Sequence, residues 1–460
     1  MMADLMTSCA LPLTGDAGTV ASMRRGACPS LAEPMQTGDG LLVRVRPTDH
    51  SLTLPKVIAL ATAAERFGNG IIEITARGNL QLRGLSAASG PMLAQAIGDA
   101  EIAIAEGLAI EVPPLAGIDP DEIADPRPIA TELREALGAR QVPLKLAPKL
   151  SVVIDSGGRF GLGAVVADIR LQAVSTVAGV AWVLSLGGTA TKASIVGTLA
   201  GNAVVPALAT ILEKLAILGT TVRGRDLDPS EIRALCRCET SSERPAAPRS
   251  AAIPGIHALG NADTVLGLGL AFAQVEAAAL ASYLHQVQAL GANAIRLAPG
   301  HAFFVLGLCP ETAAVAQSLA AAHGFRIAEQ DPRNAIATCA GSRGCASAWM
   351  ETKGMAERLV ETAPELLDGS LAVHLSGCAK GCARPKPSEL TLVGAPSGYG
   401  LVVNGAANGL PSAYTDENGM GSALARLGRL VRQNKDAGES AQSCLTRLGA
   451  ARVSAAFEQG

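Results

Sequence analysis

Hydrophobic and polar positions near the N-terminal end of the chain follow a pattern that predicts a strand, a helix and two further strands. Gly40 to Arg46 alternates apolar and basic residues, which is typical of a strand with one buried face. From Val57 to Phe67 apolar residues recur every three or four positions, which predicts a helix that ends at Gly68. Ile71 to Thr75 and Ala76 to Leu85 then predict two strands in succession.

The last of these predicted strands carries a polar strip. Successive side chains of a strand point to opposite faces. The residues that share the polar face are therefore Arg77, Asn79, Gln81 and Arg83. Arg44 and Arg46 share a face of the first predicted strand. We expect these groups to form a basic, hydrogen-bonding surface for an anionic ligand, since guanidinium groups pair well with carboxylates.

The same unit recurs in the C-terminal part of the chain, where Leu266 corresponds to Val43 and Ile295 corresponds to Ile72. Between them the spacing predicts a second helix that ends at Gly291, with these residues facing inward: Phe272, Val275, Ala279, Tyr283, Val287 and Leu290. The repeat lacks the polar strip. Ser156-Gly157 matches Ser376-Gly377 under a nearly equal offset, so the segments that follow the two units also correspond. We therefore expect a pseudo-twofold α/β or α+β protein with its reactive centre at the junction of the halves.

These patterns divide the chain into six ranges. They are a flexible tail at 1–25, a first ferredoxin-like unit at 26–120, a first cluster-type domain without cluster cysteines at 121–235, a linker at 236–254, a second ferredoxin-like unit at 255–325, and a cysteine-containing domain with C-terminal helices at 326–460.

Composition excludes some classes of function. The 460 residues carry a net charge of -3, which excludes the broad basic surface expected for nucleic-acid binding. Ten cysteines without a signal-peptide pattern favour a reducing cytoplasm and metal ligation over disulfides. Leu171 to Thr191 and Ala193 to Leu212 carry almost no charge, but glycines and Pro206 interrupt them, and we interpret them as a buried strand and a helix rather than membrane spans.

Four cysteines in two pairs predict a metal site. Cys339 and Cys345 have the spacing C-x5-C, and Cys378 and Cys382 have the spacing C-x3-C. Structural zinc usually takes more closely spaced pairs, whereas a [4Fe-4S] cube accepts wider spacing because its ligands reach around a larger object. We favour the cube, with zinc or buried free thiols as the alternatives. Helical composition after Ala346 predicts that Cys345 opens a helix, where the positive end of the dipole favours a thiolate.

Together the cysteine pairs, the polar strip and the duplicated half resemble the sirohaem-dependent nitrite and sulfite reductase superfamily, over about residues 25 to 405. The resemblance implies that Cys339, Cys345, Cys378 and Cys382 ligate a [4Fe-4S] cluster. It also implies that arginine and amide groups hold tetrapyrrole carboxylates, with these candidates: Arg44, Arg46, Arg77, Asn79, Gln81, Arg83 and Lys149.

Departures from the reductase pattern point to one branch of the superfamily. The reductases usually carry Lys-Phe-Lys, whereas Pro148-Lys149-Leu150-Ser151 keeps one lysine, and Cys378-Ala-Lys-Gly-Cys382 replaces Cys-Pro-Asn-x-Cys. Losing a lysine weakens the case for oxyanion reduction, which needs protons and positive charge. Asp39 to Arg46, Ile154 to Gly158 and Ser376 to Pro385 instead resemble the precorrin-3B synthases of cobalamin biosynthesis.

That family resemblance implies an oxygen-dependent monooxygenase that hydroxylates C20 of precorrin-3A and closes a γ-lactone. It implies O2 and an electron donor, NADH-linked or ferredoxin-like, as partners, without nucleic acid or membrane. Because four cysteines saturate a cluster, oxygen activation needs a second centre, a mononuclear non-haem iron by this resemblance, or sirohaem in a reductase. The sequence does not choose its ligands, and His374 and His301 are the first candidates. A sirohaem nitrite or sulfite reductase and a non-catalytic tetrapyrrole or electron-transfer protein are the competing hypotheses.

Overall fold

The computed structural model describes residues 29–240, 251–260 and 263–458. The tail predicted at 1–25 and part of the linker predicted at 236–254 lie outside these ranges. The described chain forms four five-stranded sheets, which alternate along the sequence between two types.

The first two sheets belong to the N-terminal half. The first unit contains β1 (Met35–Thr37), β2 (Gly40–Val45), β3 (Leu52–Thr53), α1 (Leu54–Phe67), β4 (Ile71–Ile74), β5 (Leu80–Leu85) and α2 (Ser89–Asp99). The second unit contains β6 (Ala109–Glu111), α3 (Arg127–Gly138), β7 (Ser151–Asp155), β8 (Ile169–Thr176), β9 (Gly179–Leu186), β10 (Ser194–Ala200), α4 (Gly201–Leu218) and α5 (Pro229–Cys236).

The other two sheets repeat this order. The third unit contains β11 (Gly255–Gly260), β12 (Asp263–Gly269), β13 (Gln274–Glu276), α6 (Ala277–Gln288), β14 (Ala294–Ala298), β15 (Ala302–Leu308) and α7 (Pro310–Ala322). The fourth contains β16 (Ile336–Thr338), α8 (Gly341–Gly344), α9 (Thr352–Thr362), β17 (Val373–Ser376), β18 (Ser388–Ala395), β19 (Gly398–Gly405), β20 (Ala413–Thr415), α10 (Met420–Asn434), α11 (Ala441–Leu448) and α12 (Ala450–Glu458).

The two ferredoxin-like units exchange a short strand. The first sheet has the order β1-β2-β5-β4-β13, so its last strand comes from the C-terminal half. The third sheet ends on β3 of the N-terminal half, where Leu52 faces Ile295 across an antiparallel pair. The repeat-equivalent residues of that pair are Val275 and Ile72, which face each other in the first sheet. The helices α1 and α6 pack between the sheets, so the two units share one hydrophobic core.

The cluster-type units are also related to each other. Each has parallel pairing among its first three strands, β6-β7-β8 and β16-β17-β18, followed by antiparallel strands. The offset that matches Ser156 to Ser376 also matches Gly158 to Cys378 and Leu162 to Cys382, so the N-terminal copy keeps the architecture without the thiols. The expected pseudo-twofold fold is confirmed.

Two predicted elements were wrong. Arg77 lies in a turn, not a strand, because the chain from Thr75 to Asn79 closes on itself with Gly78 at φ +81°. The predicted second helix begins at Ala277, because Phe272 has a left-handed backbone and β13 pairs with the other half.

The uncharged stretches fold inside the second unit. Leu171 to Thr191 forms most of the hairpin of β8 and β9, rather than the single strand expected. Within the ranges described, α4 is the one helix that is long and apolar enough to cross a membrane. One face of it is buried on the sheet, where Val204, Leu208 and Ile211 pack in the core with Trp182.

Candidate functional site

The four predicted cluster cysteines lie at one edge of the fourth sheet. Cys339 follows β16 and Cys378 follows β17, and parallel neighbouring strands bring their carboxyl ends to the same edge. The backbone N–H of Gly377 donates to Cys339 Sγ at 3.2 Å, which joins the two cysteine loops directly. Burial raises the pKa of the Cys382 thiol, and the other three cysteines add to that shift. The other three thiols therefore lie close enough to Cys382 to affect its ionisation.

These residues fit a cluster better than a single ion. Among the described His, Cys, Asp and Glu side chains, no three converge as ligands of one metal ion. A cube instead needs four thiolates spread around a larger object. Glycine lets the backbone of one cysteine loop approach the other closely. A Cβ on Gly377 would lie 2.5 Å from Ala348 Cβ and 3.4 Å from Cys339 Sγ. When bound, such a cluster supplies electrons one at a time.

The structure corrects the predicted surroundings of Cys345. This residue has an extended backbone after α8, and the next helix, α9, begins only at Thr352, so the helix-dipole prediction was wrong. A lysine supplies positive charge on this side instead. Lys353 is buried and donates to Thr338 Oγ1 at 2.8 Å and to the carbonyl oxygen of Phe272. Burial lowers its pKa to about 8, against the pull of Glu73 and Cys339.

Arg83 connects the first sheet to the cysteine loops. Its side chain is 6% exposed and donates two hydrogen bonds of 3.0 Å to Asp39. The same guanidinium lies 3.5 Å from Glu73 and donates to the carbonyl oxygen of Gly344 at 2.6 Å. With two carboxylates and a buried carbonyl as partners, the geometry of Arg83 favours positioning the loop of Cys345 over holding a ligand carboxylate.

Arg77 points away from the cysteines, toward the second unit. Its guanidinium forms a bidentate pair with Glu111, at 2.8 and 3.0 Å, and donates to Ser151 Oγ at 3.0 Å and to the carbonyl oxygen of Val166. Burial raises the pKa of Glu111, while Arg77 pulls it down. Arg77 and Arg83, at the two ends of the predicted polar strip, therefore contact different units of the protein.

The other residues predicted to bind a tetrapyrrole have partners within the protein or are exposed. Arg44 donates to Gln81 Oε1 at 3.2 Å, and Gln81 donates in turn to Glu73. Arg46 donates to the carbonyl oxygen of Gly107 at 2.8 Å. Asn79 closes the turn through its N–H to Thr75 Oγ1, and Lys149 is exposed with φ at +63°. Arg44, Gln81 and Arg46 form a polar surface on and beside the first sheet, whereas Lys149 lies in the second unit, just before β7.

Two adjoining hollows border this surface. The smaller is a cavity of about 120 Å³ whose lining includes Arg77, Asn79 and Glu111. The larger is a cleft of about 500 Å³ beside α3. Four residues line both, so the two hollows are direct neighbours: Thr48, Asp49, His50 and Arg134.

The candidate histidines for a second iron differ in their partners. His301 donates from Nδ1 to the carbonyl oxygen of Ile74 at 2.6 Å, and His257 donates from Nε2 to that of Ile253. His374 is 0% exposed, and neither ring nitrogen has a hydrogen-bond partner among the described residues. Its ring carbon Cε1 would lie 3.7 Å from a Cβ on Gly381, beneath the Cys378 loop.

Sequence reasoning missed several residues around the hollows. The sequence did not predict Glu111, Arg127, Arg134 or His50 as site residues. They come from separate elements and meet only in the folded chain, so local spacing carried no signal.

Comparison with known proteins agrees with this architecture. A model of the nitrite/sulfite reductase ferredoxin-like half domain matches residues 33–100. The structure of Mycobacterium tuberculosis NirA protein superimposes with a TM-score of 0.69 at 18% identity, covering 90% of this chain and 84% of NirA. At that identity the likeness shows the fold alone.

Sequence relatives place the chain more narrowly. The sulfite reductase (NADPH) hemoprotein beta-component of Myxococcus xanthus (strain DK1622) is 31% identical over 185 residues, which are 36% of this chain and 32% of that protein. A protein of Sinorhizobium sp. named precorrin-3B synthase is 97% identical over 459 residues, which cover 100% of both chains. On that end-to-end match, the chain belongs to the precorrin-3B synthase family.

Proposed function

We propose that this protein is a precorrin-3B synthase, an oxidoreductase that uses O2 to hydroxylate precorrin-3A at C20 and closes the γ-lactone in aerobic cobalamin biosynthesis. The observation that carries the proposal is 97% identity along the full length of a relative bearing that name. The cysteine pairs on one sheet edge and the basic surface of the adjoining unit are consistent with it.

In this proposal Cys339, Cys345, Cys378 and Cys382 hold a [4Fe-4S] cluster. The backbone N–H of Gly377 stabilises negative charge on the Cys339 sulfur. Lys353 adds a buried positive charge near Cys339, which offsets part of the charge of four thiolates.

The tetrapyrrole would lie against the polar surface of the first sheet. Its carboxylates would pair with the predicted groups there, which are Arg44, Arg46, Arg77, Asn79 and Gln81, and with Lys149 of the second unit. Arg83 acts by holding the Cys345 loop. Monooxygenation places one oxygen atom of O2 in the product and releases the other as water, with two electrons from a donor that is NADH-linked or ferredoxin-like.

Further parts of the proposal concern cofactors, domains and location. We include a second iron centre, which is a mononuclear non-haem iron in a synthase. We place the reaction in the cytoplasm, without nucleic acid or membrane. The domain division at residues 25, 120, 235, 254 and 325 also stays a proposal, and β6 at 109–111 pairs with β7 across the second of these boundaries.

The test is to incubate anaerobically purified protein with precorrin-3A, a reductant and isotopically labelled O2, and to weigh the product. One labelled oxygen atom in the product supports the monooxygenase. Unchanged precorrin-3A together with turnover of nitrite or sulfite would establish a sirohaem reductase instead. Cluster binding without turnover of either substrate class would establish a non-catalytic electron-transfer or tetrapyrrole-binding protein.

A further inference from the structure

The cleft of about 500 Å³ lies between the two halves of the molecule. Its walls are α3 of the second unit, which supplies Arg127 and Arg134, and β14 of the third unit, which supplies Arg296. His50 and its neighbours, which lead into β3, form the rim. The cleft adjoins the smaller cavity, whose lining includes Arg77 and Asn79. It therefore extends the predicted tetrapyrrole surface toward the C-terminal half.

Arg296 brings an unneutralised charge into this cleft. The side chain is 6% exposed, and its partners are neutral, namely Ser51 Oγ at 2.8 Å and the carbonyl oxygens of Ala116 and Pro114 at 2.8 and 3.3 Å. Burial, reinforced by Arg127, lowers its pKa to about 10. Within the described chain no carboxylate forms an ion pair with it. A buried cation without a counter-charge is costly unless an anion joins it.

Arg134 adds a second charge of the same kind. It donates to the carbonyl oxygen of Ile110 at 3.1 Å, and no ion pair joins it to a carboxylate in the described ranges. Burial and then Arg46 lower its pKa. Two guanidinium groups without a carboxylate partner among the residues described thus line one cleft of about 500 Å³.

The acidic residues nearby do not cancel these charges. Asp125 is paired with Arg127 at 2.7 Å, and Asp49 lies 3.7 Å from Lys56. Glu135 lines the cleft but is exposed to solvent. His50 is uncharged at neutral pH. Burial lowers its pKa most, the charges of Arg134, Arg296 and Arg127 lower it further, and the result is a pKa of about 4. The cleft keeps a positive charge in the unliganded protein.

The internal repeat shows that this charge is specific to one half. Arg296 of the third unit occupies the position that Glu73 holds in the first unit. In the first sheet Glu73 is an acid that helps neutralise Arg83. In the third sheet the same position is an arginine that lines the cleft between the halves. The two halves thus carry opposite charges at this position.

We propose that this cleft is a carboxylate-binding site, in which Arg134 and Arg296 hold carboxylates of the tetrapyrrole substrate that the first sheet does not reach. This assignment of the ligand rests on the proposed function. Planar guanidinium groups bind carboxylates through paired hydrogen bonds, and the neutral His50 ring adds one uncharged hydrogen-bonding group at the rim.

The experiment measures binding of two probes to the full-length, cluster-loaded protein by titration calorimetry. The probes are uroporphyrin III, a stable tetrapyrrole octacarboxylate, and tricarballylate, a small free polycarboxylate. The variants are Arg134→Met, the charge-retaining Arg134→Lys, and Thr131→Glu, which adds an acid at an exposed position of the cleft lining. Arg140→Met is the control, because Arg140 is ion-paired with Glu213 at 2.7 Å outside the cleft.

We expect uroporphyrin binding to weaken about tenfold in Arg134→Met and in Thr131→Glu, to recover partly in Arg134→Lys, and to be unchanged in Arg140→Met.

A further variant, Arg77→Met, tests the first sheet alone. If Arg77→Met weakens binding but Arg134→Met and Thr131→Glu do not, the cleft assignment falls and the proposed function stands. If the wild type binds tricarballylate through Arg134 but no uroporphyrin, the cleft is a carboxylate site and the tetrapyrrole proposal falls. Binding of neither probe by the wild type overturns both.

Discussion

The guanidinium of Arg83 donates a hydrogen bond of 2.6 Å to the carbonyl oxygen of Gly344, across 261 residues of sequence. Gly344 directly precedes Cys345, so this bond ties the first ferredoxin-like unit to a cysteine loop of the fourth unit. Asp39 and Glu73 hold Arg83 in place from its own sheet. The position of Cys345 therefore depends on residues at the other end of the chain.

We expect Arg83→Met to destabilise the protein and to impair cluster assembly. The substitution leaves Asp39 buried without its partner, which typically costs about 3–5 kcal/mol of unfolding free energy. Denaturant unfolding and iron and sulfide content measure the two effects. Arg140→Met, at a half-exposed ion pair, is the control and should change stability by less than about 1 kcal/mol. Normal iron content in Arg83→Met would contradict the positioning role.

A matched pair of glycine substitutions tests the contact between the halves from the backbone side. A Cβ on Gly38 would lie 2.4 Å from the backbone N of Ala346 and 2.7 Å from the carbonyl carbon of Cys345. Gly38→Ala should therefore push the cysteine loop and reduce bound iron to less than about half. Gly90, in α2, meets nothing within 4 Å, and Gly90→Ala should stabilise by about 0.5–1 kcal/mol. Equal iron content in the two variants would count against the contact.

Replacing cluster cysteines should remove the cluster without removing the fold. Cys345→Ala and Cys378→Ala are expected to lose most of the iron and the visible absorbance of a [4Fe-4S] cluster, because each removes one of four thiolate ligands. Cys309 is exposed at the start of α7, in the third unit rather than on the sheet edge of the fourth, and Cys309→Ala should keep both signals. Loss of iron in the control alone would disprove the assignment.

The free energy of unfolding should decrease in acid, because the folded protein disfavours the protonated form of His50. The pKa of His50 is lowered from 6.5 to about 4, mainly by burial and then by the charges of Arg134, Arg296 and Arg127. The charge of Asp125 opposes this shift. The unfolded chain binds this proton first, so the stabilisation is complete above pH 6.5 and is lost as the pH falls toward 4. After discounting for solvent screening, about 1–2 kcal/mol is involved.

The measurement is the free energy of unfolding of the wild type and of His50→Gln at several pH values. The difference between the two proteins isolates His50 from other buried histidines. It should change across this window and stay constant above pH 7. A constant difference from pH 4 to pH 7 would show that His50 titrates normally.

His374→Leu should leave the stability of the cluster-free protein unchanged or raise it by about 1 kcal/mol. Both ring nitrogens are buried and lack partners among the described residues, and replacing such polar atoms by apolar ones relieves their desolvation. Leu375→Ala, at the neighbouring core position, should cost about 2–5 kcal/mol. A loss of more than about 1 kcal/mol in His374→Leu, by denaturant unfolding, would mean that the ring makes a hydrogen bond in solution.

Much of the architecture could be predicted because it depends on local patterns. Helix α1 and strands β2 and β4 follow from periodicity, and the repeat follows from matching apolar positions. The cysteine pairs were recognisable because ligand spacing along two loops is a local property. Phe272 misled the helix prediction, since tertiary pairing of β13 overrides apolar spacing there.

The site contacts could not be predicted in the same way. Arg83 looked like one of several equivalent arginines, and its buried partner Gly344 lies in another unit. Arg296 and Arg134 meet across the junction of the halves, from a strand and a helix with no shared pattern. Contacts of this kind depend on how the units pack against each other. The spacing of hydrophobic residues within one unit does not encode that packing.

The exchange of β3 and β13 makes the two halves mutually dependent in assembly. Each supplies the outermost strand that covers a sheet edge of the other, and an uncovered edge pairs readily with foreign strands. A chain divided between its halves would yield fragments prone to aggregate unless both are produced together. Both halves are therefore needed for assembly, even though the sheet edge that carries the cysteines belongs to only one of them.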